Sequence, residues 1–252
     1  MGVFDTLLSV RESRGAGFMV LIDPDRGLDR DRLAIVEAAQ ECGVDAVLVG
    51  SSFMLNNDFA GTVRQIKQQT RLPVVIFPGS SAQITPDADA ILFSSLISGR
   101  NPAYLIDEQV KGAPLVKRYG LEAIPTGYIL VESGKLTSVQ YVSASLPIPA
   151  DKNDIACAHA LAARYLGMKL VYLDAGSGCR YPVPPAMVQA VSSYVDLPVM
   201  VGGGLTTPRD CAERVQAGAA FIVVGNHLES SPDIGLLREL VAAVHSEDSV
   251  KI

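Results

Sequence analysis

The chain has 252 residues, 48% of them hydrophobic and 19% charged, enough for one substantial α/β core without a second domain. A formal net charge of −6 excludes a general nucleic-acid binder, which would concentrate Lys and Arg to neutralise a polyanion, so any anionic ligand must be held locally. The first residues lack a basic segment leading into a long apolar stretch, and no run of about 18 apolar residues occurs, so a cytoplasmic protein without a membrane span is expected.

Residues 18–23 form a short apolar run ending in Asp-Pro-Asp, and residues 28–42 follow with Leu33, Val36 and Ala39 at helical spacing, a first βα unit. Residues 46–50 read as the second strand, and after Asp58 a polar helix carries Val63 and Ile66 on one face. The third strand spans 72–77 and stops at Pro78-Gly79. The fourth spans 90–93; the helix after it starts near Asn101-Pro102, where Asn can cap and Pro suits the first turn. The fifth covers 123–131, and Glu132-Ser-Gly-Lys135 reads as a turn into an extra extended piece through Val142. A helix over 151–166, strand six over 170–173, a helix over 184–195 and strand seven over 198–201 follow. Thr207-Pro208 starts the next helix, 221–224 is strand eight, and a last helix runs over about 233–244.

Eight strands with eight mainly helical connections predict a (β/α)₈ TIM barrel forming a single domain over residues 1–252. The strands are continuous Val/Ile/Leu runs rather than alternating ones, which suits a parallel sheet buried on both faces. In a barrel the residues just past the strand ends share one rim, so the chemistry belongs there.

Three glycine-bearing segments leave strands six, seven and eight: Tyr172-Leu-Asp-Ala-Gly-Ser-Gly178, Val201-Gly-Gly-Gly204 and Val223-Val-Gly-Asn226. Glycine lets the backbone approach an anion closely and adopt positive φ, so that successive N–H groups point at phosphate oxygens. Three such segments in adjacent units point to a phosphate clamp rather than to tight turns alone. Elsewhere on the rim, Asp23 and the Ser51-Ser52 pair suit Mg²⁺, a hard ion content with one or two protein oxygens, or else serve as turn residues; Asp25 is a competing ligand. Asp174 lies inside the first glycine segment and is the candidate general base, the alternative being a carboxylate that caps loop amides.

The four cysteines (Cys42, Cys157, Cys179 and Cys211) show no metal-site spacing and read as reduced, mostly buried thiols. Cys179 sits beside the first glycine segment but has no patterned activating base. His159 and His245 fall within predicted helices, and His227 follows the third segment.

In combination, Leu21-Ile-Asp-Pro-Asp25, Ser145-Leu-Pro-Ile-Pro-Ala-Asp-Lys-Asn-Asp-Ile155, Tyr165-Leu-Gly-Met168 and the three glycine segments resemble the geranylgeranylglyceryl phosphate synthase family, its second group in particular, related to PcrB-type prenyltransferases. The resemblance runs in order along nearly the whole chain. It implies a Mg²⁺-assisted prenyltransferase that joins geranylgeranyl diphosphate to the C3 hydroxyl of sn-glycerol 1-phosphate, forming an ether and releasing diphosphate. It assigns Asp23 and Ser52 to the metal. To glycerol phosphate it assigns Tyr172, Leu173, Asp174, Ala175, Gly176, Ser177, Gly178, Gly203, Gly204, Gly225 and Asn226. It further implies a homo-oligomer and transient membrane contact for product release. Two positions depart from the family pattern: Asp174 stands where Glu is usual, and Gly50-Ser51-Ser52 replaces the commoner Gly-Gly-Ser.

For the polyprenyl tail, Phe77, Tyr104, Tyr128 and Ile129 are candidate lining residues, with ordinary core packing the alternative. A donor of different length would use the same reaction. Another phosphate-handling barrel enzyme, such as a sugar-phosphate isomerase, calls for a second acid or a lysine opposite Asp23, and Pro125-Thr-Gly-Tyr128 supplies neither. A non-catalytic phosphate-binding barrel is the third reading.

Overall fold

The computed structural model describes residues 1–26, 30–55, 58–225, 228 and 233–245. Eight parallel strands close into one barrel: β1 (Gly17–Ile22), β2 (Ala46–Val49), β3 (Val74–Ile76), β4 (Ala90–Leu96), β5 (Glu122–Leu130), β6 (Leu170–Asp174), β7 (Val199–Gly202) and β8 (Phe221–Val224), with β8 returning to β1. The helices are α1 (Val3–Arg14), α2 (Arg30–Ala39), α3 (Phe59–Gln69), α4 (Glu108–Tyr119), α5 (Ser138–Ser143), α6 (Asn153–Tyr165), α7 (Pro185–Tyr194), α8 (Pro208–Gln216) and α9 (Ile234–Val244).

The two-residue period of each strand sorts its side chains between two cores. Met19, Leu48, Val75, Leu92, Tyr128, Tyr172, Met200 and Phe221 fill the barrel interior. Phe18, Val47, Ile91, Ile129, Leu173, Val201 and Ile222 pack outward beneath the helices. This alternation aims Tyr172 and Asp174 inward on β6 and turns Leu173 away. Register then sets the rim, because Leu130, Asp174, Gly202 and Val223 pair in one row across β5 to β8.

Three elements differ from expectation. Helix α1 was not predicted; Phe4 and Leu7 join the interior core, and the Val3 and Phe4 amides donate to the Glu122 carboxylate, so α1 closes the N-terminal end of the barrel. The piece after Lys135 is helical rather than extended. Val139 and Val142, three residues apart, present one helix face to the rim cavity, and Ala144 at φ 50° ends the turn. The β3–β4 connection, residues 77–89, carries no helix. Its anchor is the buried Gln83 amide, whose Oε1 accepts from the Ser51 and Gly79 amides (both 3.2 Å) while Nε2 donates to the Ser51 carbonyl (2.7 Å). Glycines make that junction feasible, since a Cβ on Gly50 would lie 1.7 Å from the Phe77 carbonyl oxygen and one on Gly79 2.1 Å from that of Ser51.

Candidate active site

A cavity of about 810 Å³ opens at the C-terminal ends of the strands and collects residues from every strand unit. On its β6–β8 side lie Tyr172, Asp174, Ser177, Gly178, Gly203, Gly204 and Gly225. Gly178, Gly203 and Gly204 adopt φ of 66°, 82° and 72°, the left-handed region that L side chains avoid. The amides of Ser177, Gly178, Gly203 and Gly204 donate to no protein acceptor among the described residues, whereas the neighbouring Ala175 amide bonds the Gly202 carbonyl and the Cys179 amide that of Gly176. Free backbone donors on positive-φ glycines make an anion cradle.

The side chains of Leu173 and Ala175 do not reach the cavity: strand alternation buries both in the outer core. Gly176 does not line the cavity either, because its amide is committed to Asp174 Oδ1 at 2.8 Å. Asn226 and His227 lie outside the described residues.

Asp174 is 7% exposed. Besides the Gly176 amide it accepts a 2.6 Å hydrogen bond from the Tyr128 hydroxyl at Oδ2, so it does cap a loop amide as well as facing the cavity. Burial raises its pKa above the usual carboxylate value, opposed by those two hydrogen bonds. Tyr128 and Tyr172 are pushed well above the ordinary phenol range, chiefly by burial and secondly by the Asp174 charge. With Phe77 these two rings form a mutually packed trio, centroids 5.1–5.6 Å apart. Cys179 also lines the cavity, but burial pushes its thiol up to about 11, and an unactivated, protonated thiol is what the sequence suggested.

Asp23, Ser51 and Ser52 line the same cavity from β1 and β2. Asp23 Oδ1 accepts from the Asp25 amide at 3.0 Å. Asp25 is turned elsewhere, accepting from the Leu55 amide at 2.6 Å, and does not line the cavity. The Ser51 hydroxyl donates to the Phe53 carbonyl at 3.0 Å, while the Ser52 hydroxyl has no hydrogen bond among the described residues.

Away from the cradle the cavity leaves the barrel sideways. Phe93 on β4, Ile84 from the β3–β4 connection, and Tyr104 and Gly112 from the β4–β5 connection line it there, next to Phe77 and Tyr128 of the barrel interior. Tyr104 sits on a π-helical turn, Ala103–Asp107, that precedes α4. Ile129, expected to line an apolar groove, instead points outward and is fully buried in the outer core. Of the other histidines, His159 bonds its own helix, and His245 Nε2 meets Asp45 at the opposite end of the barrel.

Comparison with known proteins assigns this constellation. The profile of the PcrB family matches residues 8–244. The chain belongs to the PcrB family. The resemblance to geranylgeranylglyceryl phosphate synthases is borne out: the chain is 43% identical over 237 residues to the enzyme of that name from Chitinophaga pinensis, covering 94% of this chain and 93% of that one. With the Pyrococcus abyssi enzyme of the same name it is 47% identical over 220 residues, 85% of each chain. The crystal structure of (S)-3-O-geranylgeranylglyceryl phosphate synthase from Thermoplasma acidophilum in complex with sn-glycerol-1-phosphate superposes with a TM-score of 0.91 at 36% identity, covering 97% of this chain and 98% of the other. Within the PcrB family fold, then, the (β/α)₈ barrel is established and the cavity at its rim is the place for chemistry. No helix among the described residues is long and apolar enough to cross a membrane.

Proposed function

We propose that this PcrB-family protein is a prenyltransferase that joins the C3 hydroxyl of sn-glycerol 1-phosphate to geranylgeranyl diphosphate, forming an ether and releasing diphosphate. The observation that carries the reading is the union, in one cavity, of an amide cradle for a phosphate and an apolar side exit for a long hydrocarbon. A sugar-phosphate isomerase has use for the first and none for the second.

In this reading the phosphate rests on the Ser177, Gly178, Gly203 and Gly204 amides, with Asp174 on the inner side of the cradle. The prenyl C1–O bond breaks with its electrons leaving on diphosphate, the acceptor oxygen attacks C1, and its proton passes to Asp174. The raised pKa of Asp174 makes it a better base than an exposed aspartate. The trio of Phe77, Tyr128 and Tyr172 offers ring faces to the positive charge developing at the allylic carbon, and the buried Tyr128 and Tyr172 help keep water from trapping it.

Mg²⁺ fits the residues present. No group of three or more His, Cys, Asp or Glu side chains among the described residues is placed to hold a metal, but Mg²⁺ characteristically takes one or two protein oxygens and fills the rest of its shell with water and phosphate oxygens. Asp23 and Ser52 would supply those oxygens, Ser51 being engaged by Phe53. The ion, when bound, would neutralise charge on the diphosphate leaving group. A homo-oligomer and a cytoplasmic setting with transient membrane contact complete the proposal.

The test incubates purified protein with labelled sn-glycerol 1-phosphate, Mg²⁺ and prenyl diphosphates of several lengths, then extracts into organic solvent. A labelled ether lipid phosphate is the expected product, most abundant with the geranylgeranyl donor. Absence of product with every donor overturns the reading.

A further inference from the structure

The cavity's charge balance is adverse for the ligands just proposed. Asp23, Glu108 and Asp174 line it, and Arg180 is the sole cation among the described lining residues. Backbone amides orient a phosphate dianion but carry no net charge to offset it, and the buried Asp174 carboxylate stands next to the cradle.

Arg180 follows directly on the cradle segment, and the loop that carries it is joined to the β5–α5 loop. The Ser133 carbonyl accepts from both the Arg180 amide (3.1 Å) and the Tyr181 amide (3.0 Å). Gly134, at φ 76°, leaves room for the Tyr181 ring, which a Cβ there would meet at 2.6 Å. The Ser133 hydroxyl donates to the Lys135 carbonyl at 3.1 Å, fixing the turn that ends in Lys135. The two cationic residues therefore belong to one pinned loop pair. Lys135 stands on the cradle side of its own loop: Thr137, two residues on, packs against the glycine segment, its Oγ1 lying 2.7 Å from where a Cβ on Gly176 would be.

Neither cation is committed to a carboxylate. Among the described residues, Lys135 and Arg180 form no ion pair, and the Arg180 guanidinium rests over the Tyr181 ring with Cζ 5.3 Å from its centroid. That face-on perch is weak enough to be exchanged for a charge-assisted bond to phosphate.

We propose that Lys135 and Arg180 form a cationic jaw over the glycine cradle, closing on the phosphate of glycerol phosphate and setting the enzyme's selectivity for a phosphorylated acceptor. The inference rests on the acceptor assignment of the preceding section. Arg180 supplies a planar two-donor fork and Lys135 a point charge, while the four amides fix orientation.

The test uses the full-length protein and its Lys135→Ala, Arg180→Ala, double and Arg180→Lys variants. Calorimetric titration with sn-glycerol 1-phosphate and steady-state KM values for both substrates are measured, with thermal unfolding recorded alongside. The expected result is a rise of about tenfold or more in Kd and KM for glycerol phosphate in the double variant, with kcat and the KM for prenyl diphosphate little changed. Arg180→Lys, which keeps the charge but not the fork, should bind better than Arg180→Ala and less well than the wild type, and added salt should weaken the wild type more than the double variant. Equal binding by wild type and double variant overturns the jaw while leaving the acceptor assignment standing. A rise confined to the prenyl diphosphate KM also overturns it, giving the cations to the donor. Failure of the wild type itself to bind glycerol phosphate overturns the acceptor assignment and the jaw with it.

Discussion

Tyr128 donates its phenolic proton to Asp174 Oδ2 across 2.6 Å, joining β5 to β6 at the inner edge of the glycine cradle. Both groups are buried, and the bond favours the ionised form of Asp174 against the desolvation that raises its pKa. Tyr128→Phe should therefore push the Asp174 pKa higher still. A base works only when deprotonated, so the acidic limb of the kcat/KM pH profile should move to higher pH, with the loss of turnover greatest on the acid side. A limb that stays in place would show that the bond does not tune the base.

Asp174→Asn should separate stability from activity. The folded-state pKa of Asp174 lies above its unfolded value, so its contribution to stability is fully present below the unfolded pKa and is lost as pH rises through the folded one. At neutral pH the wild type thus carries an unfavourable buried charge that asparagine lacks. The variant is expected to melt about 2–4 °C higher at neutral pH, the shift produced by about 1 kcal/mol in a chain of this size, and to match the wild type more closely in acid. Turnover should be lost. Scanning calorimetry at several pH values reads the first claim, and a lower Tm at neutral pH would refute it.

The cradle glycines should differ in tolerance. A Cβ on Gly203 would lie 2.6 Å from Asp174 Oδ1 and 2.8 Å from the Gly176 amide nitrogen, both fixed, while one on Gly204 would meet chiefly Cys179 Sγ, which can turn aside. Both residues hold positive φ, so each substitution also costs backbone strain of about 1–3 kcal/mol. Gly203→Ala is expected to lose glycerol phosphate binding and several degrees of Tm. Gly204→Ala should retain measurable binding, with recovery improved by Cys179→Ala in the same chain. Calorimetric titration and thermal melts rank the three.

The barrel, its strand order and the convergence of Asp23, Ser52, Asp174 and the glycines on one rim were legible in the sequence because they follow from local signals. Val/Ile/Leu runs mark strands buried on both faces, and glycines after strand ends mark backbone that must adopt positive φ. What stayed hidden depends on contacts distant in sequence. Gln83 reads as an ordinary polar loop residue, yet its amide fixes the Ser51 backbone and takes the place of a helix between β3 and β4. Leu173 and Ala175 lie within the glycine segment and were grouped with it; continuing the strand's two-residue period from Tyr172 would have turned both outward. The piece after the Glu132–Lys135 turn reads as extended through Val142, and only the packing of Val139 and Val142 on the cavity wall reveals the helix.

The metal assignment predicts unequal serines. Asp23→Asn should raise the Mg²⁺ concentration needed for half-maximal turnover by about tenfold or more while leaving glycerol phosphate binding intact, since the cradle is built from other strands. Ser52→Ala should shift the same requirement. Ser51→Ala should not, because the Ser51 hydroxyl is already donated to the Phe53 carbonyl. Turnover measured across a Mg²⁺ titration distinguishes these cases, and a larger effect at Ser51 than at Ser52 would reverse the assignment.

The side exit can be closed at one residue. Gly112 lies on α4 facing Ile84, and a Cβ there would approach Ile84 Cδ1 to 2.9 Å, so the absent side chain keeps the passage between α4 and the β3–β4 connection open. Gly112→Val should fill the passage and displace Ile84 into it. The cradle and Asp174 are built from β6 to β8 and should be undisturbed, so glycerol phosphate binding is expected to match the wild type. A donor of 20 carbons should lose kcat/KM by about tenfold or more, because the far end of its chain no longer finds apolar surface worth about 0.8 kcal/mol per buried methylene. A 10-carbon donor, with half the chain to bury, should lose less. The ratio of kcat/KM for the two donors is the decisive measurement: an unchanged ratio would mean that the hydrocarbon leaves the barrel by another route.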